Sequence, residues 1–384
     1  MKRCVVIGGG PMGLAAALGA VHRGFDVTVL ERGRVGESLR GWGDTRFFTP
    51  FAMNVGDDVR EALGAFRPPD EALLTGPEMA DRVLVRLAES APLAGRVREG
   101  CAVVAVGRSG MTRSDFAGHP LRAERPFRLL VESGRGEETI EAEVVLDASG
   151  AFTRPNFAGR GGLPAPGERA LGGRIVRNLG DLASRREAFA EKTVLLVGHG
   201  HSAAHAVLAL AEAAKPPAGP IVWAVRSPNL RPCAEAARDP LPERDRVARS
   251  ANDLAASPPR CLTVRRRTTI AAFASEGERI RIRFAGGEDA VVDEVVALTG
   301  YRPDFSHLSE LALELSPSTG GPARLSAALG GVADCLSIPS VASSDFATGE
   351  PGFFFVGSAS YGRNRTFLLR TGLGHLAAVL DSIA

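Results

Sequence analysis

The hydrophobic pattern opens with four consecutive apolar residues, Cys4-Val5-Val6-Ile7, followed by Gly8-Gly9-Gly10 and then by Met12 and Leu14-Ala15-Ala16-Ala17. A short continuous apolar run stopped by glycine predicts a strand buried on both faces, and the run beyond the turn predicts an apolar helix. The next strand, predicted over 26–30, ends at Glu31. The same order of signals returns at Thr193: Val194-Leu195-Leu196-Val197, the turn Gly198-His199-Gly200, an apolar helix to about Ala214, and a strand over 221–225 that ends at Arg226. Apolar residues at helical spacing (Met79, Val83, Leu84, Leu87) predict a helix over 77–90. Strands are predicted over 97–106 and 127–131, flanking a polar insertion, and over 143–146, running into Asp147-Ala148-Ser149-Gly150. Residues 231–259, proline-rich and charged, predict an excursion over the surface with a short helix near 243–254. Strands follow over 279–284, 294–298 and 353–356, and a helix over 366–383 closes the chain.

The glycine turns carry the chemistry. Gly8, Gly10 and Gly13 fit G-x-G-x-x-G, in which the first glycine permits the tight turn, the second lets the backbone approach a pyrophosphate and the third lets helix and strand pack closely. The helix start adds unpaired N–H groups and a positive dipole end. Glu31, at the tip of the second strand, can accept hydrogen bonds from a ribose diol. Such turns also occur as plain strand–helix connections, but here strand, helix, second strand and terminal acid are all in register. The second turn reads G-x-G-x-x-A (Gly198, Gly200, Ala203), with His201 and Ser202 lining the nucleotide. Alanine at the third position and Arg226 in place of an acid point to a 2′-phosphate, hence NADPH rather than NADH; a plain surface cation is the alternative reading of Arg226. Two nucleotide folds in one chain are a stronger signal than either alone.

Composition narrows the class. A chain of 384 residues, 45% hydrophobic, is long enough for two or three domains. Lys+Arg 46 against Asp+Glu 44 is nearly balanced, and the basic residues are almost all arginine. Arg265-Arg266-Arg267, the dense basic run, is expected to start a strand at a solvated edge. Neither a nucleic-acid nor an anionic-membrane surface is expected. The five cysteines are scattered without a C-x-x-C, so no dithiol pair or zinc site is signalled. His201 and His205 stand four apart, yet no third ligand or H-E-x-x-H accompanies them, and no metal is expected. The opening strand leaves no room for a signal peptide, and the first helix is too short to span a bilayer; a soluble, reduced, cytoplasmic protein is expected.

Residues 32–54 form a long glycine-rich stretch with Trp42, Arg46, Phe47 and Phe48, of the kind that is usually functional so early in a compact domain. Packing of the three aromatics alone is the bland alternative.

Together these pieces resemble the flavoproteins with two dinucleotide-binding domains: flavin-containing (class B) monooxygenases, N-hydroxylases and thioredoxin-reductase-like enzymes. Asp147-Ala148-Ser149-Gly150 looks like the crossing into the NAD(P)H domain, and Leu298-Thr299-Gly300-Tyr301-Arg302-Pro303-Asp304 like the return, the latter quite specific for monooxygenase-like members. Gly357 matches the glycine that meets the flavin ribityl and pyrophosphate, with Ser358 where an aspartate is usual. The stretch around Gly9-Gly10-Pro11-Met12-Gly13-Leu14 and Thr45-Arg46-Phe47-Phe48 is similar to bacillithiol disulfide reductases, which carry a cysteine where this chain has Met12. The F-x-G-x-x-x-H-type fingerprint of monooxygenases is replaced by Gly172-Gly173-Arg174-Ile175. Ser360-Tyr361-Gly362-Arg363 with Thr366-Phe367-Leu368 resembles a further group of bacterial flavoproteins.

The resemblance implies an α/β protein of two Rossmann-like (three-layer ββα) domains, FAD on 1–154 plus 300–384 and NADPH on an inserted 155–299. It implies cofactor contacts at Gly8, Gly10, Pro11, Met12, Gly13, Glu31, Arg32, Trp42, Arg46, Phe47, Val103, Ser149, Gly150, Thr299, Gly300, Tyr301, Gly357, Ser358 and Thr366, beside those of the second turn. The implied activity is monooxygenation of a small soft nucleophile (N- or S-oxygenation) through a flavin C4a-(hydro)peroxide, with O₂ and a small-molecule substrate as partners. Arg46, Tyr361, Arg363 and Asn364 are the expected catalytic residues, although both arginines would serve equally as structural ion-pair partners. An NADPH-dependent flavin oxidoreductase, oxidase or disulfide reductase without oxygen insertion is the alternative, and a redox sensor a third. A homodimer is left open.

Overall fold

The computed structural model describes residues 1–214, 220–332 and 335–383. In chain order the strands are β1 (Arg3–Ile7), β2 (Asp26–Leu30), β3 (Val97–Arg98), β4 (Cys101–Arg108), β5 (Phe127–Ser133), β6 (Gly136–Ala142), β7 (Val144–Asp147), β8 (Arg154–Pro155), β9 (Ile175–Val176), β10 (Val194–Val197), β11 (Ile221–Ala224), β12 (Leu262–Arg265), β13 (Ile270–Glu276), β14 (Arg279–Phe284), β15 (Asp289–Val292), β16 (Glu294–Ala297), β17 (Tyr301–Arg302) and β18 (Phe353–Phe355). The chain divides into two compact units. The first comprises Met1–Leu39, Thr49–Arg154 and Arg302–Ala384; the second comprises Arg40–Phe48 and Pro155–Tyr301. Residues 40–48 therefore pack with the second unit and not with the rest of 1–154.

The first unit is built on a five-stranded sheet in the order β18-β7-β1-β2-β3. Its central strands run parallel, Val5 opposing Thr28 on one side and Val145 on the other. Val5, Val6, Val145 and Leu146 are almost wholly buried, which explains why β1 and β7 read as continuous apolar runs rather than alternations. The helix Pro11–His22 covers one face and packs against the closing helix Leu369–Ile383. An antiparallel ribbon, β4-β5-β6, adds Phe127, Leu129 and Val131 to the same core as Val5, Ile7 and Phe353.

The second unit repeats the plan, with a parallel sheet in the order β12-β11-β10-β16-β9 and an antiparallel ribbon β13-β14-β15. Two corrections to the sequence reading follow. Residues 231–259 are not a surface excursion: the helix Pro242–Ala256 packs against the helix His201–Ala213, and Cys233, Val247, Ala251 and Ala255 join the core around Trp223. The basic run ends a strand instead of starting one, because Arg265 is the last residue of β12, paired with Ala224.

Smaller differences have local causes. The strand expected over 97–106 is broken at Glu99-Gly100, where Gly100 takes a positive φ and its N–H donates to Gly33 O. The closing helix starts at Leu369, not Thr366, because Thr366 N–H and Oγ1 both donate to Asn364 Oδ1 (3.0 and 2.8 Å) in a turn. Among the described residues no helix is long and apolar enough to cross a membrane.

Candidate nucleotide-binding sites

The two glycine turns have nearly the same backbone. Gly8 follows β1 with φ +106°, and Gly198 follows β10 with φ +128°, conformations that side chains rarely adopt. Each turn then reaches a helix N-cap in extended conformation, Gly10 at φ −84°, ψ −176° and Gly200 at φ −83°, ψ −179°, and neither helix has a side-chain cap. The free N–H groups are thus left for a ligand, as a phosphate-binding helix start requires. A side chain added at Gly10 or Gly200 would meet nothing within 4 Å, so both turns keep an open space in front of the helix. The third position differs for a steric reason. A Cβ at Gly13 would lie 1.9 Å from Gly8 O, whereas Ala203 is accommodated beneath Gly198. Pro11 occupies the first helical position, where its missing N–H costs nothing.

Glu31 is nearly buried and holds the first turn in shape. Its Oε2 accepts from Gly9 N–H at 2.6 Å and its Oε1 from Gly33 N–H at 2.9 Å. Each carboxylate oxygen keeps a further lone pair for a ribose hydroxyl. Arg32 is exposed beside it. At the equivalent place in the second unit Arg226 is exposed at the end of β11.

At the first crossing Asp147 is fully buried at the end of β7. Its Oδ1 accepts from Ser149 N–H (2.8 Å), and its Oδ2 lies 3.3 Å from His307 Nε2. Asp147 belongs to the crossing motif read from sequence, whereas His307 was not singled out, because no local signal joins residues so far apart. Ser149 and Gly150 lie in the first unit with Gly8, Gly357 and Ser358: a side chain at Gly8 would press on Ala148 O (2.7 Å), and Ser358 Oγ lies beside Gly150. Met12, also buried, faces both Gly357 and Gly372. Val103 sits in β4 opposite Val131, half-buried against the core. In the second unit Thr299 Oγ1 donates to Asn156 O, Asn156 N–H donates to Gly300 O (2.8 Å), and Tyr301 donates to Arg177 O (2.7 Å). Thr299, Gly300 and Tyr301 are thus tied to Asn156 and Arg177 within the second unit.

The early loop is built differently from the expectation. Trp42 packs on Phe47 with centroids 4.8 Å apart and the rings tilted by 33°, and Gly180 N–H donates to Gly41 O (3.1 Å). Phe48 packs edge-on to His201 (5.2 Å) and parallel to His205 (5.5 Å). Arg46 is exposed in the same segment. Burial pushes the His205 imidazole down to about 4, so it is neutral near neutral pH. Among the described residues no three His, Cys, Asp or Glu come together as metal ligands.

Tyr361 is buried at 1% exposure in a ring cluster with Phe367 (5.2 Å) and His375 (5.9 Å), and among the described residues its hydroxyl has no hydrogen-bond partner. Burial pushes its phenol up to about 12, which keeps it a neutral donor. Arg363 is exposed in the following turn, its N–H on Thr319 O (2.8 Å), and Asn364 caps Thr366. None of the five cysteines is in a disulfide; burial raises Cys4 to about 12 and Cys233 to about 11, so both stay thiols.

Sequence and structure comparisons agree with this architecture. Residues 5–63 match the family model "Pyridine nucleotide-disulphide oxidoreductase". No curated protein sequence matches the chain. Among solved structures, bacillithiol disulfide reductase from Bacillus cereus is similar at 19% identity and TM-score 0.69, covering 100% of this chain and 98% of its own. An ornithine N-hydroxylase from Kutzneria sp. 744, solved with reduced FAD, NADP⁺ and L-ornithine, is similar at 15% identity and TM-score 0.68, covering 100% and 99%. Thioredoxin reductase from T. acidophilum is similar at 18% identity and TM-score 0.61, covering 100% and 99%. The fold is that of the flavoproteins with two dinucleotide-binding domains.

Proposed function

We propose that the protein is an FAD- and NADPH-dependent oxidoreductase, and that it oxygenates a small soft nucleophile such as an amine nitrogen or a thioether sulfur. One observation carries the two-cofactor reading: two uncapped, open glycine turns of matching geometry, one closed by Glu31 and the other followed by Arg226. The Gly8–Gly13 turn would hold the FAD pyrophosphate, Glu31 its ribose, and Met12, Ser149, Gly150, Gly357 and Ser358 the same cofactor. The Gly198–Ala203 turn would hold NADPH, with Arg226 toward the 2′-phosphate. FAD, when bound, accepts hydride from NADPH and reacts with O₂. Tyr361, buried with a neutral hydroxyl, would belong to the apolar packing that keeps water from the bound flavin.

The oxygenase reading is favoured over disulfide reduction by the residues near the first turn. Met12 stands where bacillithiol disulfide reductases have cysteine, and burial holds the thiol of Cys4, in the strand before the turn, protonated. The likeness to an ornithine N-hydroxylase supports the same reading, with an amine as the substrate class.

The test is to load the protein with FAD, reduce it anaerobically with NADPH, and admit O₂ in the presence of a panel of amines and thioethers. Oxygenated product formed in step with NADPH consumption is the expected result. Stoichiometric hydrogen peroxide with every compound would leave the simpler NADPH-dependent oxidoreductase and remove the oxygenase.

A further inference from the structure

Four arginines meet at the ends of β11 and β12, and the backbone fixes their arrangement. Val225 N–H donates to Arg265 O (2.9 Å), Arg267 N–H to Ser227 O (3.3 Å), and Thr268 N–H to Val225 O (3.0 Å). Residues 226 and 267 therefore oppose each other where the two parallel strands end. Two of the four guanidiniums are used internally. Arg265 pairs with Glu288 and lies over the Phe284 ring at 4.7 Å, and Arg266 donates to the carbonyls of Asn229, Leu230 and Ala255. Arg226 and Arg267 are exposed, and among the described residues neither side chain has an ion pair or hydrogen bond.

Arg267 is also one of the two non-glycine residues with positive φ among the described residues, at +52°. An arginine held in this left-handed conformation is an outlier of the kind that collects at ligand clamps. Ser227, between them, accepts from Asn229 N–H (3.2 Å) and keeps its own hydroxyl hydrogen free to donate. The sheet order sets the direction. β11 lies between β10, which carries the glycine turn, and β12, so a dinucleotide bound at that turn extends its adenosine end toward this edge.

We infer that Arg267 is a second specificity residue for NADPH, closing with Arg226 and Ser227 around the 2′-phosphate. This rests on the proposal that the second unit binds NADPH. A phosphate monoester between two guanidiniums and a hydroxyl receives charge-assisted hydrogen bonds that NADH cannot use.

Calorimetric titration of NADP⁺ and NAD⁺ into the wild type and into the Arg267→Gly, Arg267→Lys and Arg226→Ala variants tests this. Glycine adopts φ +52° freely, so Arg267→Gly removes the guanidinium without straining the turn, and melting curves verify the fold. The expected result is a loss of about tenfold or more in NADP⁺ affinity for Arg267→Gly with NAD⁺ unchanged, and partial recovery with lysine. Intact NADP⁺ affinity in Arg267→Gly beside a selective loss in Arg226→Ala overturns the role of Arg267 alone. A wild type that binds NADP⁺ and NAD⁺ equally overturns the NADPH reading itself, and equal loss of both nucleotides in Arg267→Gly reduces the residue to a structural one.

Discussion

Glu31 braces the turn that it faces, its Oε2 accepting from Gly9 N–H at 2.6 Å while its Oε1 takes Gly33 N–H. The residue that would meet a ribose thus also fixes the loop that would meet the pyrophosphate. Glu31→Ala should leave the Gly9 N–H without its partner in a nearly buried place, costing about 1–3 kcal/mol of stability. FAD affinity, read by flavin fluorescence quenching, should fall at the same time by about tenfold or more. Unchanged FAD affinity would remove Glu31 from the site.

Glu350, wholly buried, binds two buried arginines. Arg108 Nε donates to its Oε1 at 2.8 Å, Arg122 Nη2 to its Oε2 at 2.8 Å, and Ala312 N–H also donates to Oε2 (2.9 Å). Burial alone would raise this carboxyl, but the two guanidiniums win and hold it below its usual range. Glu350→Ala should cost about 3–5 kcal/mol, because it leaves two buried charges uncompensated. Thermal unfolding measures it; a fall in melting temperature no larger than that of an exposed Glu→Ala control would show that the arginines find other partners.

The legible part of the fold was whatever repeats locally. The apolar run, the glycine turn and the terminal residue of the next strand lie within about thirty residues of one another, so both nucleotide folds were readable at Gly8–Glu31 and Gly198–Arg226. Pairings across long separations were not. Residues 108–125 read as a polar insertion because nothing near Arg108 or Arg122 announces Glu350, more than two hundred residues away. The loop 40–48 read as part of the first domain because chain order, not packing, was the available guide; its Phe48 settles against His201 and His205. The arginine run read as a strand start because three adjacent charges do not reveal which end of the strand they occupy.

His205 gives the second unit an acid limit. Burial holds its imidazole near 4 in the folded protein, against an ordinary value of 6.5, with Glu243 opposing and His201 and Arg246 adding to the effect. The unfolded chain therefore takes up the proton first as the solution is acidified. Stability should be unaffected above about pH 6.5 and should fall between about pH 6.5 and pH 4, by at most about 3 kcal/mol. His205→Leu should flatten this limb of the melting-temperature profile; an unchanged profile would assign the acid sensitivity to other groups.

The third position of the two turns gives the sharpest pair of substitutions, because the same chemical change meets opposite surroundings. A Cβ at Gly13 would lie 1.9 Å from Gly8 O, which is backbone and cannot move aside without opening the turn. Gly13→Ala should therefore separate helix from strand, abolishing FAD binding and lowering the melting temperature sharply. Ala203→Gly removes a methyl group that the second turn already accommodates. Its cost should be about 1 kcal/mol, from the lower helix propensity of glycine, with NADP⁺ affinity retained. Titration with each nucleotide and thermal melts of both variants check this. If Gly13→Ala binds FAD like the wild type, the close helix–strand contact is not what shapes the first site; if Ala203→Gly loses NADP⁺, the second turn depends on that methyl group for more than packing.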